Sequence, residues 1–124
     1  MRLVRRIRAQ RVPGHTLSQL AALGTVVRHG PISPGDLAAH ERVQPPSMTR
    51  VISKLEEEGL VERQPHPTDR RQQLISVTEA GLDLIETDRH RRDVWLAQRF
   101  AELTPGDVEA LARALPVLER LAQE

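Results

Sequence analysis

Two stretches of this chain hold side chains whose types and spacing could do chemistry. In the first, Ser47, Arg50 and Lys54 recur at i, i+3 and i+7, with Thr49 and Ser53 beside them and Gln44 and Pro46 at the entrance. Short hydroxyls flanked by cations suit an anionic duplex: Ser and Thr bond base edges or phosphates, and Arg can grip guanine through two hydrogen bonds. The second stretch is Asp69-Arg70-Arg71-Gln72, set between Pro67 and the apolar residues of 74–77. Adjacent arginines can track phosphates or enter a narrow minor groove, where the negative potential is enhanced. In an extended tip Asp69 and Arg71 would emerge on the same side and could form a local ion pair. An exposed pair contributes only ~0–1 kcal/mol, so folding is not a sufficient reason for it. Each stretch also has a plainer reading, as the solvated face of an amphipathic helix and as an exposed charged turn.

Other chemistry finds little support. There is no cysteine, hence no disulfide, thiolate nucleophile or thiol redox sensor. His15, His29, His40, His66 and His90 are scattered, with no i, i+3 or i, i+4 pair to start a metal site, so no metal is expected. We find no nucleophile with a base, no phosphate-cradling glycine loop and no acid–base pair. The chain reads as a non-enzyme without a cofactor. The charged run from Glu86 to Asp93 reads as solvated helix, and Trp95 and Phe100 as core or dimer-packing groups.

The elements that must position these residues are well punctuated. Residues 2–11 can form a short basic helix closed by Pro13-Gly14. Thr16 and Gln19 make a capping box for a second helix with a stripe of Leu17, Leu20, Ala21, Gly24 and Val27. Ser33-Pro34-Gly35-Asp36 opens a short third helix, and Arg42-Val43-Gln44 must turn before Pro45-Pro46 starts a fourth. That fourth helix, residues 45–58, places Met48, Val51, Ile52 and Leu55 on one face and ends at Gly59. A helix of about 14 residues is roughly 21 Å long, enough to lie along a major groove. Glu56, Glu57 and Glu58 oppose its dipole, so helix stability does not account for them.

Two short strands around residues 60–64 and 72–77 make a hairpin with a long tip. Thr78 then caps a long helix reaching roughly Leu103, and Thr104-Pro105-Gly106-Asp107 opens a last one. Its Leu111, Leu115, Leu118 and Leu121 form a stripe too long for a lone terminal helix to hide, which predicts a dimer. Pro116 should kink this helix near Ala112. Helix, helix, helix, helix, hairpin, helix, helix is a mainly α fold with a small β-hairpin wing: a winged helix-turn-helix flanked by N- and C-terminal helices.

Composition agrees. The 124 residues suffice for one domain, and 39% apolar content for one modest core. No apolar run approaches the ~20 residues needed to span a bilayer, and nothing resembles a signal peptide, so no membrane partner and a cytoplasmic, nucleoid-associated location are expected. Net charge is only +1, but residues 1–35 hold six arginines and no acid. Seventeen of the 18 basic residues are Arg, which suits phosphate and guanine contacts and equally reflects GC-rich coding.

Gly59-Leu60-Val61-Glu62-Arg63, then Asp69-Arg70-Arg71, then Val77-Thr78-Glu79-Ala80-Gly81 resembles the signature of the MarR family of regulators, and the likeness runs from about Thr16 to Leu121. The wing segment is the specific part; the remainder is general to winged helices. The resemblance implies one domain over 1–124, with 1–29 and 79–124 mainly dimerisation helices and 31–78 the DNA-binding part. It implies a homodimer on a pseudo-palindromic double-stranded operator, Arg71 in the minor groove and Asp69 orienting it. It also implies a repressor released by a small aromatic or phenolic effector, bound between the dimerisation and DNA-binding regions by residues still unknown. The first helix is shorter than the family's pattern. The competing expectation is a winged-helix module that binds protein or RNA without ligand response. Double-stranded RNA has a major groove too deep and narrow for a recognition helix, which favours DNA.

Overall fold

Four hydroxyls decide where four of the helices begin. The side chains of Thr16, Ser33, Thr78 and Thr104 accept the backbone N–H groups of Gln19, Asp36, Gly81 and Asp107 at 3.1, 3.1, 3.1 and 3.2 Å. Each such cap stabilises its helix by about 0.5–2 kcal/mol. Thr16 and Thr104 complete reciprocal capping boxes with Gln19 and Asp107. The computed structural model describes residues 1–123. Its helices are α1 (Arg2–Arg8), α2 (Leu17–His29), α3 (Pro34–Glu41), α4 (Pro45–Glu57), α5 (Glu79–Phe100) and α6 (Pro105–Ala122). Strands β1 (Val61–Pro65) and β2 (Gln73–Val77) lie between α4 and α5.

The two strands pair antiparallel, with Val61 opposite Val77, Arg63 opposite Ile75 and Pro65 opposite Gln73. Ile32 adds one further antiparallel rung, exchanging backbone hydrogen bonds with Ile75 at 3.0 and 2.7 Å. That rung ties the start of α3 to the wing. The core lies beneath α4: Leu23 and Val26 of α2, Leu37 of α3, Met48, Ile52 and Leu55 of α4, then Val61, Ile75 and Ile85. Burying each such side chain is worth roughly 1.5–3 kcal/mol, so α4 is fixed by its apolar face and its polar face must look outward. At Gly81 an added Cβ would meet the Leu60 carbonyl oxygen at 2.1 Å. The start of α5 therefore rests directly on the chain entering β1, and only glycine fits there.

Several local expectations change. α1 stops at Arg8 and α5 at Phe100, each about three residues short of its expected end. The stripe expected on α2 describes only part of its buried face: Leu20 and Gly24 are buried and Val27 is half-buried, but Leu17 is 41% exposed and Ala21 is exposed, while Ala22, Leu23, Thr25 and Val26 are buried as well. The physical reason is position, since α2 is packed by α3, α4, α5 and β2 at once, and one amphipathic stripe cannot describe a helix covered on several sides. Pro116 lies within α6 without ending it. Asp88, expected in solvated helix, is 3% exposed; it accepts the Val12 N–H at 2.8 Å and pairs with Arg92 at 3.0 Å, joining the α1–α2 linker to α5. Phe100 is exposed, and half-buried Trp95 has the guanidinium carbons of Arg6 and Arg99 at 5.4 and 5.6 Å from its ring centre. Neither aromatic belongs to the core. No helix among the described residues is long and apolar enough to cross a membrane.

Candidate nucleic-acid interface

The turn between α3 and α4 is set by Arg42, which adopts a left-handed conformation at φ 54°. The Val43 N–H returns to the Ala38 carbonyl at 3.1 Å, and Gln44 becomes the N-cap of α4 without a side-chain bond. Pro45 and Pro46 fill the first helical positions, where a missing N–H costs nothing. With Met48, Ile52 and Leu55 buried, Gln44, Pro46, Ser47, Thr49, Arg50 and Lys54 are exposed and Ser53 is half-buried. Arg50 has no ion-pair partner among the described residues. The Thr49 hydroxyl donates to the Pro45 carbonyl at 3.0 Å, leaving its lone pairs free.

Two of the three acids at the end of α4 have ion-pair partners, which their position against the helix dipole did not announce. Glu56 accepts from Arg63 of β1 at 2.8 Å. Glu58 meets His15 at 2.8 Å and Lys54 at 3.5 Å, so the helix end is clamped to the hairpin and to the α1–α2 linker. These half-exposed contacts add little stability. Their effect is to fix the direction of α4.

At the wing tip the expected Asp69–Arg71 ion pair is not formed. Asp69 Oδ1 accepts the backbone N–H of Arg71 at 3.0 Å, while the Gln72 N–H bonds the Asp69 carbonyl at 3.1 Å. Residues 69–72 are a tight turn rather than extended chain, and an aspartate at the first position of such a turn satisfies the backbone two residues on. The guanidinium groups of Arg70 and Arg71 are left exposed, without an acidic partner among the described residues. With Gln72, Gln73, Ser33 and Gly35 they line an open groove of about 520 Å³. The wing arginines thus meet the start of α3, a neighbourhood that Ser33-Pro34-Gly35, legible only as a helix start, did not announce.

The histidines are less scattered than their spacing implied. His29 and His40 stack with ring centres 4.7 Å apart, and with Asp36 and His66 they line a groove at the base of the wing. No group of three or more His, Cys, Asp or Glu among the described residues is placed to hold a metal. On α6, Leu111, Leu115, Leu118 and Leu121 are 45, 56, 54 and 69% exposed, and the helix has no buried residue. A cavity of about 230 Å³ lies among α1, α2 and α5, lined by Ile7, Leu17 and Leu20 and by Arg28, Arg89 and Arg92.

The comparisons with known proteins agree with this geometry. The MarR family pattern matches residues 15–72, the α2–α3–α4 unit and most of the wing. The chain is 45% identical over 125 residues to the HTH-type transcriptional regulator Mb0904 of Mycobacterium bovis, covering 100% of this chain and 87% of that one. It is 29% identical over 90 residues to the HTH-type transcriptional repressor IacR of Pseudomonas putida, covering 73% and 54%. The crystal structure of RV1404 from Mycobacterium tuberculosis superposes with a TM-score of 0.90 at 31% identity, covering 99% of this chain and 86% of that one. The relatives from Mycobacterium bovis and Pseudomonas putida are both named as transcriptional regulators. With a winged helix-turn-helix whose outward face is polar and cationic, this chain belongs to the MarR family of transcriptional regulators.

Proposed function

We propose that the protein is a homodimeric repressor that reads a pseudo-palindromic operator in double-stranded DNA and is released by a small effector. The observation that carries this reading is the pairing of an outward polar face on α4 with two exposed wing-tip arginines that have no acidic partner among the described residues. In this reading Ser47, Thr49, Arg50 and Ser53 face base edges, while Gln44, Pro46, Lys54, Arg70 and Gln72 lie along phosphates. Arg71 enters the minor groove from the turn that Asp69 shapes. Residues 31–78 form the reading part, and 1–29 with 79–124 the dimerising part. Support for the dimer is the bare leucine stripe of α6, since an apolar strip of that length is seldom left in water. The relative named a repressor supports the sign of regulation. The α1–α2–α5 cavity supports an effector site: Ile7, Leu17 and Leu20 suit a small aromatic body, and Arg28 and Arg89, beyond the Arg92 already paired with Asp88, suit an acidic or phenolic group on it despite Glu41 in the same lining. Binding titrations and footprinting on the DNA upstream of its own gene test the reading. Two protected half-sites about one helical turn apart, ~10 bp centre to centre, are expected. Binding with no preference over unrelated duplex, or preference for RNA, would overturn it.

A further inference from the structure

We infer that His66 is the positioning residue of the wing, holding the turn that presents Arg70 and Arg71 only while its imidazole is neutral. Its Nδ1 accepts two backbone N–H groups, from Thr68 at 3.2 Å and from Asp69 at 3.0 Å. Its own backbone N–H donates to the Gln72 carbonyl at 3.1 Å, and the Gln72 N–H returns to Asp69 at 3.1 Å. Asp69 in turn accepts from the Arg71 N–H. The bonds that shape residues 66–72 thus converge on His66 or on the residue it holds. A nitrogen accepting two N–H groups must be unprotonated, which leaves the other ring proton on Nε2. A proton on Nδ1 would face those two donors instead, and both backbone bonds would be lost, with the Thr68 hydroxyl oxygen at 3.4 Å the nearest acceptor for it.

Histidine is the side chain suited to changing its charge near neutral pH, so acidification is the condition that tests the turn. The charged and titratable groups around His66 are Asp69, Arg70 and Arg71 on the tip, His29 at the end of α2, and Asp36 and His40 on α3. Two effects of protonation oppose each other. A new cation beside DNA would tighten binding generally, whereas the lost turn would release Arg70 and Arg71 from their presented geometry. We assign the larger effect to the turn, because both N–H groups lose their acceptor at once. The sign of the pH response therefore separates the two.

This inference rests on the DNA-reading function proposed above, and the test keeps the two apart. His66→Asn places a carbonyl oxygen close to where Nδ1 stands and keeps an acceptor for the same N–H groups without a charge that titrates. The full chain and this variant are titrated onto a duplex from upstream of its own gene at fixed salt, from about pH 8 to about pH 5.5. His66→Asn should match wild type at the alkaline end. Wild type should then lose on the order of 5-fold more affinity than His66→Asn on acidification. When both proteins also carry Arg71→Ala, the gap between their pH curves should shrink, because His66 acts through the arginines. Parallel pH curves for wild type and His66→Asn, or a wild type that tightens relative to it in acid, would overturn the inference. A second readout needs no DNA. The amide signals of Thr68 and Asp69 in the free protein should titrate together with the His66 ring, and in His66→Asn they should stay put. If they ignore the ring's titration, His66 does not hold the turn. If they follow it while wild type binds no duplex even at pH 8, the fault lies with the DNA-reading function instead.

Discussion

The two ends of the molecule's working axis are built differently. From α2 through β2 and the first turns of α5, apolar side chains interlock, and Leu23, Leu37 and Ile75 have no exposed surface at all. From the later turns of α5 through α6 there is no buried residue. α1 likewise buries none. The reading half can hold its shape from its own contacts. The terminal half is stiffened locally by Thr104 and its capping box, yet the free energy that would fix it in place has to come from a second surface.

This contrast predicts opposite responses to substitution, and the largest effects should come first. Leu115→Asp with Leu118→Asp, in a helix already exposed, should cost the reading half little stability. If the proposed dimer forms, the double substitution should give a monomer by sedimentation and reduce operator binding by about 100-fold or more, because two joined half-site affinities would be what makes such a dimer bind tightly. A wild-type monomer at tens of micromolar with full DNA affinity would break the comparison. Leu23→Ala should do the reverse: about 2–5 kcal/mol lost from unfolding free energy by denaturant titration, with dimerisation of the remaining folded protein unchanged.

How far these differences could be read from residues alone depends on how local their causes are. Helix starts were legible because Thr16, Ser33, Thr78 and Thr104 cap within their own first turns. The outward face of α4 was legible because one helix with one buried face shows a clean period. The α2 stripe was legible only in part, since four neighbours compete for that helix's surface. Beyond the i,i+4 pairs with Lys54 and Arg92, Glu56, Glu58 and Asp88 have partners across the fold, on β1 and in the α1–α2 linker at His15 and Val12, and no spacing rule reaches those. The roles of the site residues towards DNA remain part of the proposal.

Smaller effects sharpen the comparison within the reading half itself. Arg50→Ala should cost about 1–3 kcal/mol on the operator, as expected for a guanine contact made through two bonds. Its loss on unrelated duplex should be much less; an equal loss on both would make Arg50 a phosphate contact. Arg71→Ala should leave melting temperature unchanged, since its guanidinium has no acidic partner among the described residues. Operator binding should weaken about tenfold, ~1.4 kcal/mol, and the salt slope should fall by about one unit. Wild-type behaviour at every salt concentration would reduce the wing to a turn.

The smallest expected effect is also the most selective, and it concerns Asp69. Had this residue aimed Arg71 through an ion pair, its charge would matter and Asp69→Asn would behave like Asp69→Ala. The structure instead has its Oδ1 accepting the Arg71 backbone N–H, a task that needs an oxygen and not a charge. An asparagine oxygen can accept the same bond, and removing a negative charge beside phosphates can only help attraction. Asp69→Asn should therefore bind the operator as well as wild type or slightly better, within about 2-fold. Asp69→Ala should lose about 3-fold, less than Arg71→Ala, because the turn loosens while the arginine remains. Parallel titrations of the three variants at one salt concentration decide it. Equal losses for Asn and Ala would restore the ion pair as the feature that matters, and the backbone bond would then be incidental.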